Sequence, residues 1–183
     1  MSKIVVLSGS MRRHGNTALL ASAFAKGAHE NKNEINVLTV ADYNVTPCTG
    51  CNACRKRKNN DCAIHDDMQK LFPILKEADI IIIASPVYFY GLSARLKAII
   101  DRLHQPARSA MKVKKLGLLL VAADTLPAVF DPIMLQYHLI LDYFHLKSIG
   151  EILAYGVEAV GDINDKPVLD KAYLLGKEIK GDK

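Results

Sequence analysis

Apolar and polar positions change period several times along the chain. Lys3–Ser8 is a short apolar run ending in Ser8-Gly9-Ser10, the pattern of a buried strand. From Thr17 to His29 the spacing of Leu20, Phe24 and Ala28 is helical. Glu34–Val40 reads as a second strand and Asp79–Ala84, with consecutive isoleucines at 80–83, as a third. Strands apolar on both faces belong to parallel sheets covered by helices on each side. Before the third strand, Leu71 and Leu75 mark a helix with Asp66-Asp67 as its N-cap. Leu92, Leu96, Ile99 and Leu103 predict the next helix, and Leu116–Ala122 the fourth strand. Asp131-Pro132 reads as an N-cap followed by Pro at the first helical position, with the helix running to about Leu146; the alternative is a start near Leu126, with Pro132 inside the first turns. Ile149–Tyr155 is the fifth strand, and Val168–Lys180 the closing helix. Five strands alternating with five helices predict a doubly wound α/β fold: a five-stranded parallel sheet with helices on both faces. One domain is expected over 1–183, interrupted by one irregular stretch at about 41–65. A loop that long in a compact domain is functional or disordered.

Composition narrows the partners. The net charge of +5 suits an anionic ligand. Aromatics make up only 7% of the residues and Trp is absent, so the stacking residues of a nucleic-acid binder are missing. The longest apolar stretch, Leu116–Ala123, falls far short of the roughly 20 residues of a membrane span. Four apolar residues after Lys3 are too few for a signal peptide. A cytoplasmic protein is expected, with no nucleic acid and no membrane among its partners. All the cysteines lie between Cys48 and Cys62, which suggests a local metal or redox site rather than a disulfide framework.

In a doubly wound sheet, ligands bind at the carboxyl ends of the strands near the switch point. After the first strand comes Ser8-Gly9-Ser10-Met11-Arg12-Arg13-His14-Gly15-Asn16-Thr17, leading into a helix. The glycines let backbone approach an anion, and the helix start offers free N–H groups. Ser10, Asn16 and Thr17 add neutral donors, and Arg12 or Arg13 adds charge. A Walker loop would carry Lys where Asn16 stands, and no G-x-G-x-x-G follows the strand. Such a cradle fits a terminal monophosphate, such as that of FMN; the plainer alternative is a capped helix start. After the third strand, Ser85-Pro86-Val87-Tyr88-Phe89-Tyr90-Gly91 places three consecutive aromatics at a strand end. They form a wall for a flat conjugated ring, or else cap the core or a subunit contact.

S-G-S-x-R-x-x-G-N-T at the first turn and A-S-P-V-Y-F-Y-G at the third strand resemble the flavodoxin-like NAD(P)H-dependent FMN reductases. Cys48-x-Gly50-Cys51-x-x-Cys54, Cys62 and Asp66-Asp67-Met68 resemble the branch that includes the iron–sulfur flavoproteins. The resemblance runs from Lys3 to about Arg102. It implies FMN held non-covalently, its phosphate on Ser10, Arg12, Gly15, Asn16 and Thr17 and its ring against Pro86, Val87, Tyr88 and Phe89. Gly91 keeps one side open for the nicotinamide of NAD(P)H as co-substrate. A third FMN loop is expected near Ala123, Asp124 and Thr125, and a homodimer or higher oligomer is implied.

The spacing C-x2-C-x2-C-x7-C leaves two readings for Cys48, Cys51, Cys54 and Cys62: ligands of a [4Fe–4S] cluster, or reduced or reversibly oxidised thiols that pack the loop. Zinc fits less well, because it favours separate C-x-x-C pairs. The basic run Arg55 to Lys58 is a solvated face or a guide for the 2′-phosphate of NADPH. Asp101-Arg102 is expected to be a structural or interface pair. The flavin carries the chemistry, so no side chain is singled out as acid or base. The expected function is hydride transfer from NAD(P)H through FMN to a small acceptor such as a quinone or free flavin. The alternative is an electron-transfer flavoprotein, with or without a cluster, that shuttles electrons between protein partners.

Overall fold

The computed structural model describes residues 1–180; Gly181–Lys183, the end of the expected 1–183 span, lie outside the described residues. Strands β1 (Lys3–Ser8), β2 (Glu34–Thr39), β3 (Ile80–Tyr88), β5 (Lys115–Val121) and β6 (Lys147–Ala154) form a parallel sheet in the order β2-β1-β3-β5-β6. A two-residue strand, β4 (Gly91–Leu92), pairs antiparallel with the end of β3. Helices are α1 (Asn16–Glu30), α2 (Met68–Lys76), α3 (Ala94–Arg102), α4 (Asp131–Phe144) and α5 (Val168–Lys177). The chain steps outward from β1 to β2, then returns to place β3 on the other side of β1. The reversal opens a crevice beyond the carboxyl ends of β1 and β3.

Period-two alternation explains the isoleucine run. Ile81 and Ile83 point into the core under α2, α3 and α4, together with Leu7, Leu118 and Phe130. Ile80 and Ile82 point the other way, into the core under α1 and α5, with Val6, Phe24 and Ala172. None of residues 80–84 faces water, and none is polar. Helices α1 and α5 pack backbone to backbone, because a methyl group at Gly27 would run into the Tyr173 carbonyl. Helix α4 is fastened by Tyr137, whose hydroxyl donates to the Leu116 carbonyl at 2.8 Å.

Three expectations are corrected here. The third strand continues past Ala84 to Tyr88, pairing Ser85 and Pro86 with Leu120 and Val121 of β5. Pro86 is tolerated because β1 has already ended, its last pair with β3 being Ser8 with Ala84. The sheet therefore has six strands, the extra one being the short β4. The closing helix stops at Lys177, three residues before the expected Lys180. Among the described residues, no helix is long and apolar enough to cross a membrane.

Candidate functional site

The turn between β1 and α1 sits at the crevice. Its peptide bonds fold around Ser10, whose hydroxyl accepts the Arg12 N–H at 3.0 Å and contacts the Arg12 carbonyl at 3.2 Å. Gly15 N–H donates to the same carbonyl at 3.1 Å and forms the N-cap of α1. The N–H groups of Asn16 and Thr17 lie in the first helical turn, where no intrahelical acceptor exists. Gly9 lets the two loops at the crevice touch: a Cβ there would meet Leu96 Cδ2 at 2.8 Å and Ser93 Oγ at 2.9 Å. Ser93 Oγ donates to the Gly9 carbonyl at 2.7 Å, and Ser93 N–H donates to Ser85 Oγ at 3.1 Å. Ser93 thus joins the turn after β1 to the turn after β3. Sequence reasoning missed this role, although a serine preceding a helical repeat is a usable signal.

Of the two arginines, Arg13 is ion-paired with Asp42, whereas Arg12 is exposed and its guanidinium has no partner among the described residues. The charge available to an anion is therefore that of Arg12. The side chain of Asn16 is a correction. It is buried and engaged with the segment 143–145 residues downstream: Nδ2 donates to the Ala159 carbonyl at 2.7 Å and Oδ1 accepts Gly161 N–H at 2.9 Å. What Asn16 offers a phosphate is its main-chain N–H.

Residues 88–91 close a two-residue hairpin, with Tyr88 paired to Gly91. Both central residues, Phe89 (φ 48°) and Tyr90 (φ 63°), adopt the left-handed conformation of a type I′ turn. That turn favours Asn-Gly, and bulky residues there are strained. Phe89 is 99% exposed, and Tyr88 and Tyr90 are each 54% exposed. The aromatics therefore do not cap the core; they project from the carboxyl edge. A Cβ at Gly91 would meet only the Tyr88 carbonyl, at 3.6 Å, so the space above Gly91 is open. Ala123, Asp124 and Thr125 form an exposed loop at the same edge, tied to the chain beyond β6 by Gly156 N–H donating to the Asp124 carbonyl at 3.0 Å.

The cysteine segment is organised by an arginine. Asp101 and Arg102 are not each other's partners: Asp101 pairs with Lys97, and Arg102 turns inward to Asp66 at 2.8 Å. The same guanidinium donates to the Thr46 carbonyl at 2.9 Å and the Ile64 carbonyl at 3.4 Å. Asp66 also accepts the N–H groups of Thr46 and Met68, so Asp66 rather than Asp67 supplies the side-chain cap of α2. Burial pushes the Asp66 carboxyl up, but these donors outweigh it and hold it below the usual aspartate value. The Asn44 N–H, then Lys70, hold Asp67 low as well. The spacing of Arg102 and Asp66, 36 residues apart, carries no sequence signal.

Between these anchors Cys48 and Cys51 are exposed, Cys54 and Cys62 are half-buried, and all four are free thiols. The Ala53 N–H, then Thr49, hold the Cys51 thiol below its usual value. As disposed here the cysteines do not fit a cluster: among the described residues no group of three or more His, Cys, Asp or Glu side chains is gathered to hold a metal. Arg55 to Lys58 are exposed, and Arg57 contacts the Cys62 carbonyl at 3.4 Å.

The crevice, by contrast, fits an FMN phosphate. Gly9 and Gly15 occupy positions that a side chain would fill, a helix start faces the crevice, and Ser8 Oγ is buried with no partner among the described residues. A doubly wound sheet with this edge has the flavodoxin-like architecture. The chain matches the NADPH-dependent FMN reductases over residues 2–150 and belongs to that family. It is an FMN-dependent oxidoreductase. It is 32% identical to an iron–sulfur flavoprotein of Methanocaldococcus jannaschii, over 97% of this chain and 95% of that protein. Its fold is similar to that of an NAD(P)H:quinone oxidoreductase from Methanothermobacter marburgensis (TM-score 0.75, 14% identity, 97% of this chain and 98% of that one). It is also similar to that of an azoreductase from Bacillus anthracis (TM-score 0.74, 14% identity, 98% and 100% covered).

Proposed function

We propose that the whole chain is one FMN-binding unit that passes hydride from NAD(P)H to a small diffusible acceptor, a quinone or free flavin. When bound, FMN would supply the hydride-transfer chemistry. The protein's own residues bind, orient and expose. Ser10 Oγ, the main-chain N–H groups of Asn16 and Thr17, and Arg12 take the phosphate. Pro86, Val87, Tyr88 and Phe89 wall the ring. Gly91 leaves one side free for a planar co-substrate. The observation that carries the reading is the joined pair of turns at the switch point, an anion cradle beside an aromatic wall, in a chain of this family. Anaerobic protein loaded with FMN should lose its flavin colour on addition of NADPH or NADH and regain it with a quinone. Retention of colour with both nucleotides overturns the reading.

A second copy of the chain is part of this proposal. Leu135, Leu139 and Tyr143 form an exposed apolar stripe along α4, at 63%, 59% and 67% exposure. The stripe borders an apolar cavity of about 830 Å³ between α3 and α4. A contiguous apolar stripe beside an apolar cavity is the kind of surface that a partner covers.

A second reading, an electron-transfer flavoprotein with a [4Fe–4S] cluster, is favoured by the C-x2-C-x2-C-x7-C spacing and by the name of the M. jannaschii relative. It requires the 48–62 segment to close around the cluster. Iron and sulfide analysis of anaerobically prepared protein separates the two. About four of each per chain supports the second reading. Iron-free protein that turns over NAD(P)H supports the first.

A further inference from the structure

We propose that Asn16 is a positioning residue that makes phosphate binding at the first turn and ordering of the 156–166 segment a single event. This rests on the reading that places the FMN phosphate at the β1–α1 turn.

Asn16 is the first residue of α1 and is only 7% exposed, so its amide must be satisfied within the protein. Both ends of the amide go to one stretch of backbone, the carbonyl of Ala159 and the N–H of Gly161. An amide carries a donor and an acceptor, so it grips a strap of peptide as a neighbouring strand would. Elsewhere the strap is held by its own turn, Asp162 N–H donating to the Ala159 carbonyl at 3.2 Å and Asn164 N–H to the Gly161 carbonyl at 2.9 Å, and by Ile163, which is buried in the core. Asp162 Oδ2 shapes the turn by accepting the N–H groups of Glu158 and Ala159, at 3.0 and 2.7 Å. Gly161 holds a positive φ of 95°. Val160 at the crest is 62% exposed.

At its start the strap is tied to the third loop of the crevice, Val157 N–H donating to the Ala122 carbonyl and Gly156 N–H to that of Asp124, both at 3.0 Å. Asn16 therefore links the turn that takes the phosphate to the loop that borders the ring. An anion that fixes the main chain at Asn16 also fixes its side chain. By the same linkage, an ordered strap favours the anion.

The test compares hydrogen exchange of the strap with flavin affinity, using protein as purified with FMN and after its removal by dialysis. FMN should slow exchange at 158–161 several-fold in the wild type. In Asn16→Ala the strap should exchange faster and no longer respond to FMN, and the FMN Kd should rise at least tenfold. Asp162→Ala, which loosens the strap without touching the turn, should raise the FMN Kd at least threefold. This second variant, with the wild-type exchange, decides the matter if Asn16→Ala does not fold.

Lost affinity in Asn16→Ala with unchanged strap exchange overturns the proposal, because Asn16 then acts on FMN directly. Faster strap exchange with FMN affinity within twofold of wild type also overturns it, leaving a purely structural tie. Failure of the underlying site reading is distinguished by Ser10→Ala/Arg12→Ala. If FMN affinity survives in that double variant, the phosphate lies elsewhere.

Discussion

Single residues carry most of the site's specificity. At the first turn Ser10 offers a phosphate its hydroxyl and Arg12 its charge, whereas Arg13 is held by Asp42 and the Asn16 amide by the strap. A hydrogen bond to a charged group contributes about 1.5–3 kcal/mol. Replacing both with Ala should weaken FMN binding by that order per contact while leaving riboflavin, which has no phosphate, unaffected; flavin fluorescence titration measures both. Arg102 is the other decisive residue. Its side chain and that of Asp66 are 2% and 9% exposed, so Arg102→Ala leaves a buried carboxylate unpaired, at a cost of about 3–5 kcal/mol in urea denaturation. The pair also sets an acid limit. The Asp66 carboxyl titrates below its ordinary 3.8 in the folded chain, so its contribution is complete at neutral pH and fades as pH falls through the folded value. Stability measured between pH 6 and pH 3 should therefore fall more steeply for wild type than for a variant lacking both Asp66 and Arg102.

Among the elements, the β3–β4 hairpin stands out because its turn contradicts its sequence. Non-glycine residues in sparsely populated conformations cost on the order of 1–3 kcal/mol each. Exchanging Phe89-Tyr90 for Asn-Gly should raise the melting temperature and slow flavin reduction by NAD(P)H, since the aromatics are lost with the strain. A stability gain without a kinetic loss would remove the ring-wall role. This turn also marks where the sequence ceased to be legible. The strands and helices follow from apolar period, and the isoleucine run alone indicates a sheet covered on both faces. The first turn follows from Ser, Gly and Asn ahead of a helical repeat. The hairpin does not, because Phe-Tyr lacks the residues that tolerate positive φ. The Arg102–Asp66 and Asn16–Ala159 links join residues distant in the chain and carry no periodicity. Asp66, Arg102 and Asn16 each look like parts of local motifs in the sequence, yet their side chains join separate segments.

At the level of the molecule, the sheet divides the protein into two unequal halves. The α1–α5 side is closed by glycine-mediated contact, and Gly27→Ala should cost at least the 1–3 kcal/mol typical of overpacking. The α3–α4 side is open, with a cavity and an apolar ridge. If a second copy covers that ridge, Leu139→Glu should convert a dimer to monomers in sedimentation at micromolar concentration, with FMN content unchanged. Wild-type protein that sediments as a monomer removes the second copy from the proposal.

The hold of Arg102 on both the Thr46 and Ile64 carbonyls has a consequence for how the cysteine segment can vary. The two ends are brought together by the fold itself, whatever lies between. Doubling the length of a flexible loop adds only about 0.6 kcal/mol to the entropy of closing it. The segment is in this sense a cassette, free to lengthen, shorten or exchange its thiols while the sheet stays the same. Inserting several glycines and serines between Asn59 and Asn60 should leave the melting temperature almost unchanged, and the same insertion in an Arg102→Ala background should not be tolerated so well.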